Sequence, residues 1–476
     1  MVTRRSFLIG SAFAGGTLLG VPALWQFANT DAPNDLYIPD IIDSKINDQV
    51  SITAQAGTTE FFSEKSSQTF GYNGSYLGPT IRVHKGDNVK ISVTNKLKEP
   101  TTVHWHGLLT PGDRDGGPHQ VIHPGNTWEP ILPIRQQAAT LWYHSHLHGY
   151  TAKQVYAGLA GLLIVADENE QSLNLPSEYG VDDIPLILQD REFQDGMLVF
   201  PDGMMSIMHG RRGNTIVVNG TINPVAKIPN RLVRLRLVNG ANAREFDLSF
   251  SDNRSFHWIA SEGGLLESPI LLRSLKISPG ERAEILVDFS DNYPVTLQTS
   301  SDNNVSMMMR MMSGNSSLNI IQESIIKFEP QDTEDNHVFA IPKTLLPYKH
   351  FDLAKVKRRR YFTLNMGMGS FGINGRPFNA SRIDEKVDLG ATEIWVVKSE
   401  MMPHPFHIHG VHFEVLSRNG DSPGIKDRGL KDTVLVDGTI ELLIHFSQPS
   451  LAAPFMYHCH ILEHEDNGMM GQFEVV

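Results

Sequence analysis

The sequence predicts an all-β protein assembled from sandwich or barrel units. Short runs rich in Val, Ile, Leu, Thr and aromatics recur along the chain, as at 80–83, 89–94, 160–165, 232–238, 283–289 and 393–397. Gly, Pro, Asn and Asp separate such runs at intervals of roughly ten residues, the punctuation of strands and turns in a sandwich or barrel. Two distant stretches also look like weak copies of two others. Leu141-Trp142-Tyr143-His144-Ser145-His146 parallels Phe455-Met456-Tyr457-His458-Cys459-His460, and His104-Trp105-His106-Gly107 returns as His407-Ile408-His409-Gly410. The first and last thirds are therefore expected to share one domain type. No long helical periodicity competes with this pattern.

Taken from the start, Thr3-Arg4-Arg5-Ser6-Phe7-Leu8-Ile9 precedes a small and apolar run that ends at Leu24. Twin arginines ahead of such a run read as a twin-arginine export signal. The rival is a transmembrane anchor, which needs about 20 strongly apolar residues. Here Gly10, Ser11, Gly15, Gly16, Thr17 and Gly20 dilute a short run. Residues 1–30 are thus expected to be a signal peptide used by the twin-arginine translocation machinery, with the mature chain in the periplasm.

The 476 residues leave room for three domains at roughly 100–200 residues each. Polar or Pro-containing connections near 167–180 and 328–348 place them at 31–170, 171–335 and 336–476. A net charge of −12, from 41 basic and 53 acidic side chains, leaves no basic excess to neutralise phosphates and argues against a nucleic-acid partner. A monomer is expected. Cys459 is the single cysteine, so no internal disulfide can form, and its neighbours suggest that a metal occupies the thiol instead.

Those neighbours are histidines. Four His-x-His segments occur, at His104/His106, His144/His146, His407/His409 and His458/His460. In a strand, residues i and i+2 share a face about 6.6 Å apart, so each pair can present two imidazoles to one cluster. Eight imidazoles are too many for one ion and suit three. In His458-Cys459-His460 the cysteine faces away from the histidines, so one strand can touch two metal sites. Cys459, His404, His464 and Met469 make the two-His, one-Cys, axial-Met group of a blue-copper electron-transfer site. Zinc is the rival, but it prefers closed tetrahedral sites with fewer histidines. Three clustered coppers and one remote copper could together hold the four electrons that oxygen needs to become water.

These segments resemble the four motifs of three-domain multicopper oxidases. The likeness extends over nearly the whole mature chain, including Asp115-Gly116-Gly117-Pro118 and the run 235–244. It is nearest to bacterial copper-efflux (cuprous) oxidases, with bacterial laccases and bilirubin oxidases further off. The resemblance implies three cupredoxin-like Greek-key domains and four copper ions. His404, Cys459, His464 and Met469 would hold the type 1 copper, and His104 with His407 the type 2 copper. His106, His144, His146, His409, His458 and His460 would hold the type 3 pair. Asp115 and Glu465 would relay protons to oxygen, a task suited to carboxylates beside a buried cluster, although Asp115 could equally be a turn residue. Relatives that act as cell-division scaffolds have lost these ligands, whereas every ligand position is present here.

The electron donor is less constrained. Cu(I), phenols or aromatic amines, and bilirubin-like pigments are all candidates. The methionine-rich insertion of the copper-efflux enzymes is missing ahead of His404. Glu400 and Met402, with Met366 or Met368, nevertheless resemble a carboxylate-plus-thioether pair for substrate Cu(I), since thioethers select Cu(I). The alternative is that these methionines fill core space. The run Met307-Met308-Met309-Arg310-Met311-Met312 reads as a middle-domain strand, and Met204, Met205 and Met208 read as packing. His148 and His412 read as structural histidines, and 355–360 reads as a solvated basic stretch.

Overall fold

Three pairs of β-sheets follow one another along the chain. The computed structural model describes residues 34–47, 49–300, 322–333, 338–346, 348–367 and 370–476. The signal-peptide expectation, the methionine run at 307–312 and Met368 lie outside the described residues.

In the first pair, one sheet orders Ile41–Asp43, Thr80–His84, Ala160–Ala166, Ala139–His144 and His104–His106. The other orders Lys65–Tyr72, Val50–Phe62, Asn88–Asn95 and Thr127–Trp128. Ile52, Val93, Trp105, Tyr143 and Leu163 pack between them. The last pair repeats the plan. Its histidine-bearing sheet orders Glu385–Val387, Met470–Val475, Phe455–Cys459, His404–Ile408 and Thr433–Val436. It is packed through Trp395, Phe406, Leu442 and Phe473 onto a second sheet. The middle pair, a six-stranded and an eight-stranded sheet, closes over Leu235, Phe246, Ile285 and Phe328. Each such large apolar side chain stabilises the fold by about 1.5–3 kcal/mol when fully buried. This is the all-β, three-unit cupredoxin-like architecture expected.

Local sequence explains the elements. The expected runs form strands with ends shifted by a residue or two, such as Leu232–Asn239 and Arg282–Asp288. Asn219-Gly220, both at positive φ (50° and 82°), turns Thr215–Val218 into Thr221–Ile222, as an Asn-Gly hairpin should. The short strand His104–His106 alternates: Trp105 enters the core of the first sandwich while the histidines point out of it.

Two expectations need correction. The second histidine of three pairs, His146, His409 and His460, lies just past its strand end. Ring centres sit 5.6, 6.0, 4.9 and 5.7 Å apart along the four pairs, closer than the strand spacing of about 6.6 Å, and this holds also for His104/His106, which lies wholly in a strand. The stretch 355–360 is not wholly solvated either. Arg360 is buried, its guanidinium held by Glu393 of the adjacent strand Thr392–Ser399 and by Glu385 of the strand Glu385–Val387 in the facing sheet.

Candidate metal centre

The two histidine-bearing sheets bring their strands together at one buried place. His104 pairs across its sheet with His144, and His407 pairs with His458. Three groups of donor atoms result, each with members within 4.8 Å of one another: His106, His144 and His460; His146, His409 and His458; and His104 and His407 with His106. All eight side chains are buried. The Nε2 atoms of His104 and His407 are 3.4 Å apart, and those of His146 and His409 each lie 3.1 Å from His458 Nε2. Burial pushes the imidazoles of His106, His144, His146, His409, His458 and His460 well below their ordinary value, and neighbouring imidazoles push the same way. Burial thus favours the neutral imidazole, the form that keeps a lone pair to offer a cation. Both nitrogens of His460 and Nδ1 of His146 are buried without a hydrogen-bond partner, an arrangement that costs free energy unless a cation fills it. Imidazoles in this number and closeness suit copper.

Two aspartates orient the rings. Asp115, at the end of the turn Gly112–Arg114, accepts from His104 Nδ1 through its carbonyl (2.9 Å) and from His409 Nδ1 through Oδ2 (2.7 Å). Asp432 accepts from His407 Nδ1 through its carbonyl (2.9 Å) and from His106 Nε2 through Oδ1 (3.1 Å). Each aspartate thus ties one histidine from its own third and one from the other. Burial alone would raise Asp432, but the Arg282 guanidinium holds it well below the usual carboxylate range. Glu465 lies 3.3 Å from both His146 Nδ1 and His458 Nδ1. Burial, with Asp466 beside it, pushes its carboxyl well above the ordinary value. Both expected proton carriers therefore stand at the cluster. Asp432, Thr433 and Arg282 were not anticipated, because a Lys-Asp-Thr run before a strand carries no ligand spacing. Gly280, at φ 84°, brings middle-unit backbone so close that a Cβ there would sit 2.9 Å from the His460 ring.

A second site lies behind the same strand. Cys459 Sγ is 3.4 Å from His404 Nδ1 and 3.6 Å from His464 Nδ1, and those nitrogens are 3.2 Å apart. Ile461 N donates to the sulfur at 3.3 Å, and His464 Nε2 donates to the Met208 carbonyl at 3.2 Å, which leaves Nδ1 free. Met469 is fully buried in the same core cluster, and Cys459 N donates to its carbonyl. Burial pushes the thiol up and pushes His404 down to about 4. A thiol so placed ionises only against a metal.

The first third has the same frame without the site. Ser145 occupies the place of Cys459 and Thr101 that of His404. Both hydroxyls donate to Gln154 Oε1, at 2.5 and 2.8 Å. Ser145 N donates to Leu159 O as Cys459 N does to Met469 O, so Leu159 stands where the thioether does.

The other candidates divide. Met402 and Met366 are partly buried against the core that holds Cys459, and Asn365 donates to the exposed Glu400 at 3.3 Å. Met208 packs there too, but Met204 and Met205 are 76% and 52% exposed. Their expected packing role is thereby corrected, because the short helix Met204–His209 turns only one side inward. His412 is buried and donates to the Gly107 carbonyl, as a structural histidine would.

Comparisons with known proteins agree with the fold and complicate the function. Family profiles described as multicopper oxidase match residues 53–170, 199–313 and 347–476. Cell division protein FtsP of Xenorhabdus nematophila is 38% identical over 100% of this chain and 98% of its own. FtsP of Escherichia coli K12 is 37% identical over 100% and 99%. Among solved structures, a bacterial laccase-like multi-copper oxidase CueO from Ochrobactrum sp. is 41% identical. It has a TM-score of 0.85 over 93% of this chain and 100% of that one, and has oxidase activity towards lignin model compounds and lignosulfonate. The multicopper oxidase of Campylobacter jejuni, a metallo-oxidase, is 28% identical with a TM-score of 0.80 over 94% and 96%.

Proposed function

This chain belongs to the multicopper oxidase family, and on that premise we propose an exported oxidase that takes electrons singly from Cu(I) and reduces oxygen to water. Cys459 carries the reading. Its sulfur lies with His404 and His464, while its neighbours His458 and His460 reach the eight-imidazole cluster. Four copper ions suit these donors. His404, Cys459, His464 and Met469 would hold one, and His104 with His407 another. His106, His144 and His460, and His146, His409 and His458, would hold the remaining pair. Bound there, copper supplies one-electron exchange at the sulfur site and, with the cluster, storage for the four electrons that oxygen requires.

The chain's own groups handle protons and water. Asp115 Oδ1 is buried without a partner while Oδ2 holds His409, so this carboxylate can take a proton beside the cluster. Glu465, raised by burial and by Asp466 beside it, favours the protonated form and can offer a proton on the other side. Together they form a two-sided proton supply for a site that bulk water does not reach. We read 1–30 as the signal peptide, with twin-arginine export to the periplasm. We read 31–170, 171–335 and 336–476 as the three domains, and each matched span falls within one of them. Met402, Met366 and Glu400, on the outer side of the core around Cys459, are read as the receiving point for substrate Cu(I).

Two further readings have an observation each. The Ochrobactrum protein's activity towards lignin model compounds favours a phenol-oxidising laccase. The curated relatives named cell division protein FtsP favour a division role, which with these donors would be a copper-binding or scaffold protein without turnover. Oxygen uptake by the mature, copper-loaded protein separates all three. Fast uptake with Cu(I), and phenol turnover that needs added Cu(II), is the expected result. Strong phenol turnover without added copper would make it a laccase. Copper binding with no uptake from either donor would leave the division reading standing.

A further inference from the structure

The middle third holds no cluster ligand, yet besides the Gly280 backbone beside His460 it reaches the centre through one set of side chains. Leu430, Lys431 and Asp432, in the approach to the strand Thr433–Val436, are gripped by middle-third residues in succession. The Leu430 carbonyl accepts from Gly263 N (2.7 Å) and Ser261 Oγ (2.8 Å). Lys431 Nζ donates to both carboxylate oxygens of Glu262 (2.9 and 2.8 Å) and stands 3.3 Å from Glu281. Arg282 then meets Asp432 with two parallel bonds, Nη1 to Oδ1 at 2.7 Å and Nη2 to Oδ2 at 2.6 Å. The side chains of both are fully buried. Its Nε donates to the Thr140 carbonyl and Nη1 also to Gly280 O. The fork fits only because residue 107, next to His106, is glycine. A Cβ there, at φ 88°, would lie 2.3 Å from Arg282 Nη2 and 2.6 Å from Asp432 Oδ2.

What the fork holds matters more than the pair itself. Asp432 receives Nε2–H from His106 and Nδ1–H from His407, so it requires opposite tautomers of the two rings. His106 is left with Nδ1 facing His144, and His407 with Nε2 facing His104. Hydrogen bonds of this kind orient ligand rings and set which nitrogen is free. A carboxylate free to rotate would not hold the His106 ring consistently, and a bidentate guanidinium removes that freedom while fixing the residue whose carbonyl holds His407.

We propose that Arg282 is a positioning residue of the copper cluster: from the ligand-free third, it locks Asp432, whose carboxylate sets the tautomer of His106 and whose backbone carbonyl sets that of His407. The proposal rests on reading the eight imidazoles as a copper site. Arg282→Met keeps much of the side chain's bulk and removes the fork, while Arg282→Lys keeps the charge without two-point geometry. Each is purified copper-loaded beside the unaltered protein, then dialysed against a mild chelator. Copper per chain, the type 2 copper signal by electron paramagnetic resonance, and the blue absorbance of the Cys459 site are then measured. For Arg282→Met, blue absorbance stays, while copper affinity at the eight-histidine cluster falls about 10–100-fold and the type 2 signal changes shape or is lost. Arg282→Lys falls between the two. A purely structural ion pair would lower the unfolding midpoint but leave copper per chain and the type 2 signal untouched in both variants, and that result overturns the proposal. If Arg282→Met does not fold, Arg282→Lys decides alone: a signal identical to the unaltered protein's overturns it. If the unaltered protein itself binds copper only at the blue site, the cluster reading fails, which is a different result from either.

Discussion

The first and last thirds bring matching histidines to one cluster, but only the last has a thiol behind its strand. Behind His458-Cys459-His460 stand a sulfur, two imidazoles and a buried Met469. Behind His144-Ser145-His146 stand two hydroxyls, the Gln154 amide and Leu159. The hydroxyl pocket satisfies itself, since Thr101 and Ser145 both donate to one oxygen. In the thiol pocket, three potential ligand atoms converge on one another and His404 Nε2 has no partner. Polar atoms that pair among themselves need no guest, whereas converging lone pairs need a cation. On a shared frame, the side chains at these few places leave converging ligand atoms in the last third and a closed set of hydrogen bonds in the first.

The largest effect should come from copying the first pocket into the last. Cys459→Ser is expected to abolish the blue absorbance and lower oxygen uptake on the order of a thousandfold, with the fold intact by circular dichroism. Retained blue colour would end the assignment of electron entry to the last third.

A second contrast lies inside the cluster. Asp432 is clamped by Arg282, while Asp115 has one oxygen without a partner. Asp115→Asn keeps an acceptor for His409 and removes the proton site. Oxygen uptake is expected to drop about a hundredfold, with copper per chain unchanged. Uptake within about twofold of the unaltered protein would mean that the two aspartates share only an orienting role.

The smallest effect concerns pH. In the copper-free protein burial holds His404 at about 4, against an ordinary value of 6.5. Its folded value is depressed, so the unfolded chain takes up the proton first. Stability is therefore full above about pH 6.5 and is lost as pH falls from there towards 4. His404→Thr, which copies Thr101, removes that proton uptake. Urea midpoints of the copper-free proteins should show stability falling less steeply in this window, by about 1.4 kcal/mol per pH unit. Parallel curves would place the acid sensitivity in other histidines.

Sequence spacing pointed to most of the donor groups that the structure gathers because metal chemistry restricts such spacings. His-x-His repeats, and Cys459 followed at short intervals by His464 and Met469, have few alternative meanings. The strand runs were legible because Gly, Pro, Asn and Asp punctuate short apolar and β-branched runs, even where, as at Ala160–Ala166 and Leu232–Asn239, every residue is buried. What stayed hidden depends on contacts between distant segments. Lys431-Asp432 reads like any solvated charge pair, and only packing against Glu262, Glu281 and Arg282 makes it a clamp. Arg360 hid for the same reason. The turns that carry His146, His409 and His460 past their strand ends follow from closing the cluster, not from local propensity.

The cluster also joins the two ends of the fold. Its ligands stop at His146 and resume at His407, so a filled cluster would bridge a loop that contains the whole middle third. Tying a chain across so long a span removes unfolded-state entropy worth about 5 kcal/mol, by analogy with a disulfide. The metal would then be a clasp as well as a reagent. It could fasten only after all three sandwiches had folded and docked, and, once fastened, a cut in the middle third would not free the ends from each other.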